Sequence, residues 1–223
     1  MKSYKQIARD GEAEIVIKGS RFICALKRVE NEDEAKLFIT EKKKEHKKAT
    51  HNCSAFLIGD NDTVQRAHDD GEPSGTAGVP MLEILKKNEL HYIVAVVTRY
   101  FGGTKLGAGG LIRAYSSSVS YALNALGIIM HTQEYLYDVS IPYTDSGRFD
   151  YFLSQSAYRH LDTVYTDTVT YRIGVLPHQK ETFTFDIQEL FHNTITATLV
   201  DTHYIDLPIE SEDVPLDDAL FND

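Results

Sequence analysis

Five glycines fall within the nine residues Gly102 to Gly110. Glycine at that density belongs where the backbone must turn tightly or approach something closely. The run follows a nearly all-apolar, β-branched stretch, His91 to Val97, that continues into Thr98-Arg99-Tyr100-Phe101. Such a stretch reads as a buried, central strand. After the glycines come about sixteen residues, Leu111 to Leu126, in which Ala114, Ser117, Ser118 and Ala122 would let a helix pack closely on a sheet. Strand, glycine loop and close-packed helix together point to an α/β layer arrangement.

The residues before this segment extend the sheet. Glu14 to Lys18 and Arg21 to Val29 alternate apolar and polar residues around Gly19-Ser20, the pattern of a hairpin. Asn31 is an N-cap with Glu34 three residues on, opening a helix that ends near Lys48. Cys53 to Ile58 and Thr63 to Ala67 read as strands joined by a turn at Gly59 to Asp62. A glycine- and proline-punctuated loop, His68 to Pro80, then feeds a short helix carrying Met81, Leu82, Ile84 and Leu85. The remainder follows a simpler order. Strand (136–141), helix (144–156), strand (162–165), strand (168–175), helix (178–191) and strand (195–203) make βαββαβ, the ferredoxin-like arrangement.

A length of 223 residues suits two domains. The expected division is residues 1–131, 134–210 and an acidic tail at 211–223. Charge divides at the same place: residues 1–131 hold 19 Lys+Arg against 16 Asp+Glu, and residues 132–223 hold 4 against 17. The halves are therefore +3 and −13, so nucleic-acid contact is expected of the first domain and not of the second. Two cysteines are too few for a disulfide framework, no charged-then-apolar leader is evident, and the longest apolar run, Tyr92 to Val97, is six residues. A cytoplasmic location without membrane contact is the expectation.

Two constellations could carry chemistry. In the first, the glycine loop offers backbone N–H groups and a helix N-terminus to an anion, with Arg99, Lys105 and Arg113 adding full charges. The binding residues expected there are Arg99, Tyr100, Gly102, Gly103, Lys105, Gly107, Gly109, Gly110 and Arg113. In the second, His68, Asp69, Asp70 and Glu72, with His51 on a neighbouring strand, have oxygen and imidazole donors of the kind that hold divalent metals. Asp–Gly adjacency is ordinarily turn chemistry, however, and Ser74 to Thr76 are expected to N-cap the next helix. His68, Asp69, Asp70, Glu72, Ser74 and Thr76 therefore form a secondary candidate loop. Neither a metal nor a cofactor is expected. The lysines at 42–44, 47 and 48 read as the solvated end of a helix, and Cys24 and Cys53 as core residues. No nucleophile stands beside a base at a recognisable spacing, so no catalytic residue is assigned.

Gly71-Glu72-Pro73-Ser74-Gly75-Thr76-Ala77-Gly78-Val79-Pro80 and the segment from Arg99 to Tyr115 together closely resemble the two signature blocks of the YigZ/IMPACT family. The resemblance implies a first domain with the α/β sandwich of the second domain of a small-subunit ribosomal protein. It also implies a ferredoxin-like second domain similar to the last domain of elongation factor G. Eukaryotic relatives restrain a stress-activated kinase of translation initiation by competing for its activator, and nucleic-acid binding has been suggested for bacterial relatives. The resulting expectation is a non-catalytic regulator linked to translation that contacts a protein, the ribosome or RNA through the basic glycine loop. The alternative is a phosphotransferase or a metal-assisted hydrolase using the same loop.

Overall fold

The computed structural model describes residues 3 to 209, so the acidic tail at 211–223 lies outside the described residues. The protein is α+β, and its described residues divide into two compact units, Ser3–Met130 with Asp206–Ile209, and His131–Ile205.

The first unit contains β1 (Ser3–Ile7), β2 (Gly11–Ile17), β3 (Ser20–Arg28), α1 (Glu32–Glu45), β4 (His51–Ile58), β5 (Val64–His68), α2 (Gly78–Lys87), β6 (Ile93–Tyr100) and α3 (Gly107–Leu126). Its sheet runs β2-β3-β6-β4-β5, with every neighbouring pair antiparallel. The β2–β3 hairpin closes through Lys18 and Gly19, at φ 47 and φ 77, the left-handed pair that a two-residue turn requires. β6 is central, and its two-residue period sends Ile93, Ala95 and Val97 to one face and Val94 and Val96 to the other. On the first face α2 and α3 bring Met81, Leu85, Leu111, Tyr115 and Val119 into the core; on the second, α1 contributes Ala35 and Phe38. The result is a three-layer unit with one sheet buried on both sides. α1 opens on the expected cap, where the Asn31 side chain accepts from the Glu34 N–H.

Two local differences from the sequence reading bear on the site. α3 begins at Gly107, so the last glycines form the helix's first turn rather than extending the loop. A first turn tolerates glycine because its N–H groups have no helical partners in any case. Similarly, α2 begins at Gly78, inside the expected loop. Its N-cap position, Ala77, has no side-chain cap, and Ser74 and Thr76 do not supply one. Asp69 replaces them: its carboxylate accepts from the N–H groups of Gly75, Ala77 and Gly78 at 2.8, 3.1 and 2.8 Å.

The second unit is built on β7 (Ile128–Ile141), α4 (Ser146–Gln155), β8 (Arg159–Tyr165), β9 (Val169–Val175), α5 (Lys180–Leu190) and β10 (Thr198–Pro208). β9 lies between β7 and β8, and β10 pairs with β7, giving the ferredoxin-like strand order. Tyr135, Tyr137, Val139 and Ile141 pack with Val169, Tyr171, Ile173 and Val175 beneath Phe149, Phe183 and Ile187. β10 starts at Thr198, later than expected, after His192 and Asn193, both at positive φ.

Candidate functional site

Arg99 ends the inward-facing row of β6. Its strand neighbours in register are Phe22 on β3 and His51 on β4, so alternation alone places the three side chains on the face that carries α2 and α3. The guanidinium donates to Glu72 Oε1 at 2.6 Å and lies over the rings of Phe22 and Phe101 at 5.4 and 5.7 Å. Tyr115, two turns into α3, donates its hydroxyl to the same Oε1 at 2.8 Å. Glu72 thereby joins the loop before α2 to β6 and α3. Its side chain is 4% exposed and that of Arg99 7%. Isolated, either charge would be costly to bury; together they neutralise one another.

A cleft of about 300 Å³ opens above this pair, lined by Thr50, His51, Glu72, Pro73, Arg99, Phe101 and Lys105 and by Leu106, Gly107, Ala108 and Leu111 from the start of α3. His51 Nδ1 lies 2.9 Å from the Asp70 carbonyl oxygen, which can only accept, so Nδ1 carries a proton. The other ring nitrogen, Nε2, is 3.7 Å from Glu72 Oε2. Lys105 and residues 107–109 are exposed. Among the described residues no side chain caps α3, so the amides of its first turn carry the positive end of a 20-residue helix. With the Arg99 charge matched by Glu72, Lys105 and the helix end remain as positive groups among the described cleft lining.

The loop leading to α3 is held from below. The Phe101 N–H donates to Thr50 Oγ1 at 3.1 Å, and the Gly102 N–H to Ser20 Oγ at 3.1 Å. Gly102 must be glycine, because a Cβ there would lie 1.9 Å from the Gly19 carbonyl. Gly103 has φ 93 and an open surround, so its constraint is conformational. Gly109 has neither restriction.

The residues expected from the sequence separate into groups. Arg99, Lys105 and Gly107 line the cleft; Gly109 and Gly110 lie within the first turn of α3. Arg113 is exposed on α3 and does not line the cleft. Tyr100 alternates to the other sheet face, where its hydroxyl meets His46 Nδ1 at 3.0 Å. The secondary loop divides between two places: His68, Asp69 and Asp70 line a separate pocket of about 550 Å³ against α1, and Glu72 lines the cleft. Asp69 holds the α2 entry, Asp70 accepts from Lys43 at 2.6 Å and from the Asn52 N–H at 2.7 Å, and exposed His68 ends an edge strand. Ser74 is exposed, and Thr76 Oγ1 donates to the Pro73 carbonyl at 2.6 Å. Of the six residues expected in this loop, Glu72 lines the cleft, next to Pro73. Thr50, Phe101 and Leu106 also line the cleft without being among the residues expected: the bond from the Thr50 N–H to the Arg99 carbonyl brings Thr50 beside β6, and Phe101 and Leu106 lie inside the Arg99–Tyr115 block but carry no charged or reactive group to single them out.

Burial and local bonding set the ionisation of the surrounding groups. Burial pushes the Cys53 thiol up to about 12, partly offset by Tyr115 and reinforced by the carboxylates of Glu72, Asp70 and Asp69. Burial likewise pushes the Tyr115 hydroxyl far up, with Cys53 and Glu72 adding to it. Burial would raise Asp69, but its three backbone N–H donors, helped by His68, hold it below the usual carboxylate range.

Residues 18–123 match the model of the Impact N-terminal domain, and residues 139–194 match a domain of unknown function, DUF1949. IMPACT family member YvyE of Bacillus subtilis (strain 168) is 51% identical over 185 residues, 83% of this chain and 84% of that protein. The chain belongs to the IMPACT family. IMPACT family member YigZ of Escherichia coli (strain K12) is 37% identical over 161 residues, 71% of this chain and 79% of its own length. A solved structure titled "Crystal structure of an hypothetical protein" is 30% identical and covers 90% of this chain and 98% of its own, with a TM-score of 0.56. The Impact N-terminal match includes every cleft residue from Thr50 to Leu111. Among the described residues of this family member, no helix is long and apolar enough to cross a membrane.

Proposed function

We propose that this IMPACT family member is a non-catalytic, cytoplasmic regulator linked to translation, which captures a protein or RNA partner by seating an anionic group of that partner in the cleft at the start of α3. The observation that carries this reading is the placement of exposed Lys105 beside the uncapped first turn of a 20-residue helix, over a neutralised Glu72–Arg99 pair. Uncapped helix amides and a lysine attract anions whether these come from phosphate or carboxylate. The link to translation rests on family membership, and the charge of +3 over residues 1–131 favours this half as the docking surface. Binding is preferred to turnover because burial holds the Cys53 thiol protonated and the cleft's carboxylate is engaged by Arg99 and Tyr115.

The test is affinity capture with wild type and Lys105→Glu, at two salt concentrations, with and without RNase. Charge reversal is expected to abolish capture while leaving stability within about 1 kcal/mol, as exposed substitutions do. High salt should weaken wild-type capture, and sensitivity to RNase would assign the partner as RNA. Undiminished capture by Lys105→Glu would overturn the proposal.

A further inference from the structure

The face of the first unit's sheet that carries α1 has a groove of its own, about 550 Å³ in volume. α1 packs over β6 and β4, and the edge strand β5 forms the groove's far wall. Register sets Ser54 opposite His68 and Phe56 opposite Arg66, and the packing of Phe56 in the core beneath α1 places all four on this face. Helical spacing brings Glu32, Lys36, Ile39 and Lys43 to the near wall.

Charge is separated along the groove. At one end Glu32 Oε1 is shared by two cations, Lys36 Nζ at 3.3 Å and Arg66 Nε at 3.6 Å, so one positive charge is in excess. At the other end Lys43 pairs with Asp70 at 2.6 Å, and Asp69, kept ionised by its three backbone N–H donors, adds a second carboxylate. One negative charge is in excess there. Asp69 Oδ2 and both Asp70 oxygens accept one hydrogen bond each, which leaves lone pairs for a further donor. Between the two ends lies Ser54, 1% exposed, whose hydroxyl makes no hydrogen bond among the described residues. A hydroxyl both donates and accepts, which suits it to a peptide group.

The separation of the two charges sets the length of a ligand. Lys36 and Lys43 are seven residues apart on α1, a rise of about 10 Å. Arg66 and Asp69 are three residues apart along and just beyond β5, again about 10 Å. Three residues of extended chain span the same distance, about 10 Å, whereas a single amino acid is too short to reach both ends. Phe56 and Ile39 offer apolar contact in the middle, and the volume falls within the range of small-molecule sites.

We propose that this groove binds a short free peptide, extended and about three residues long, with its C-terminal carboxylate at Lys36 and Arg66, its N-terminal ammonium at Asp69 and Asp70, and a backbone amide on Ser54 Oγ. The groove and the cleft at α3 lie on opposite faces of the sheet, so this inference stands independently of the function read from the cleft.

Three peptides test it: trialanine, its N-acetylated form and its C-terminal amide, each titrated into the full-length ¹⁵N-labelled chain. Trialanine should shift the amides of Ser54, Arg66 and His68, and each blocked form should bind at least fivefold more weakly. Free alanine at the same concentration should leave those amides in place. Arg66→Gln, at a half-exposed side chain, should weaken trialanine and leave the amide form nearly unchanged. Lys105→Glu should not alter trialanine binding, which separates this groove from the cleft. The comparison of the three peptides is read on the wild type, so it decides even if Arg66→Gln folds poorly. Equal affinity for all three, no shift at Ser54, Arg66 and His68, or inorganic phosphate shifting the same amides as strongly as trialanine would overturn the proposal.

Discussion

Arg99 reaches Glu72 across 2.6 Å, and the two residues, 27 apart in the chain, are both almost wholly buried. This pair ties the last inward position of β6 to the loop before α2, and through Tyr115 to α3. The cleft rim is therefore built on three elements that meet at one carboxylate.

Removing one partner should be far more damaging than removing both. Arg99→Leu or Glu72→Leu alone leaves an uncompensated buried charge and should cost the first unit about 3–5 kcal/mol. The double variant Glu72→Leu/Arg99→Leu should recover a large part of that loss. Denaturant unfolding followed by the first unit's amide signals measures the cycle; additive single effects would show that the two side chains do not form an energetic pair.

The loop over the cleft should loosen in acid before the rest of the unit does. Asp69 has its folded-state pKa below the ordinary 3.8. Its bonds to Gly75, Ala77 and Gly78 thus contribute stability that is fully present above the unfolded value and is lost as pH falls through the folded one. Hydrogen exchange of those three amides should accelerate below about pH 4, and Asp69→Ala should abolish that pH response and cost about 2–4 kcal/mol at neutral pH. Exchange rates that follow only the intrinsic pH dependence would contradict this account.

Two glycines seven residues apart should respond oppositely to alanine. At Gly102 the added Cβ meets the Gly19 backbone at 1.9 Å, so Gly102→Ala must part the loop from the β2–β3 turn and should cost more than about 2 kcal/mol. At Gly109 there is open space within a helix, so Gly109→Ala should be neutral or stabilising by up to about 1 kcal/mol. Thermal unfolding of both variants decides it.

Neither cysteine should react in the native protein. Cys24 and Cys53 are fully buried, and burial raises both thiols, Cys53 to about 12. Thiol titration at pH 8 should find almost no reactive sulfhydryl in the folded chain and two after denaturation. Rapid native labelling of Cys53 would mean that the loop from Asp69, whose carbonyl accepts the thiol hydrogen at 3.0 Å, opens readily.

Local pattern carried most of the architecture. The apolar alternation around Gly19, the Asn31–Glu34 cap and the βαββαβ order of the second half are short-range signals, governed by backbone sterics and by which face of a strand or helix is apolar. The same signals placed Gly102 and Gly103 between β6 and α3, and the two motif blocks identified the family. Side-chain pairing across the sheet had no such signature. Whether Arg99 points to solvent or into the protein depends on the strand beside it and the helix above it, and the β4–β6 register that sets His51 against Arg99 comes from the packing of both sheet faces. Asp69 takes the capping role that Ser74 and Thr76 would fill on local grounds, because the end of β5 brings its carboxylate to the start of α2. Glu72, read from the sequence as one acidic loop residue among several, becomes the centre of the site for the same reason: hydrogen bonds to Arg99 and Tyr115 outweigh its desolvation only where the tertiary fold brings all three together.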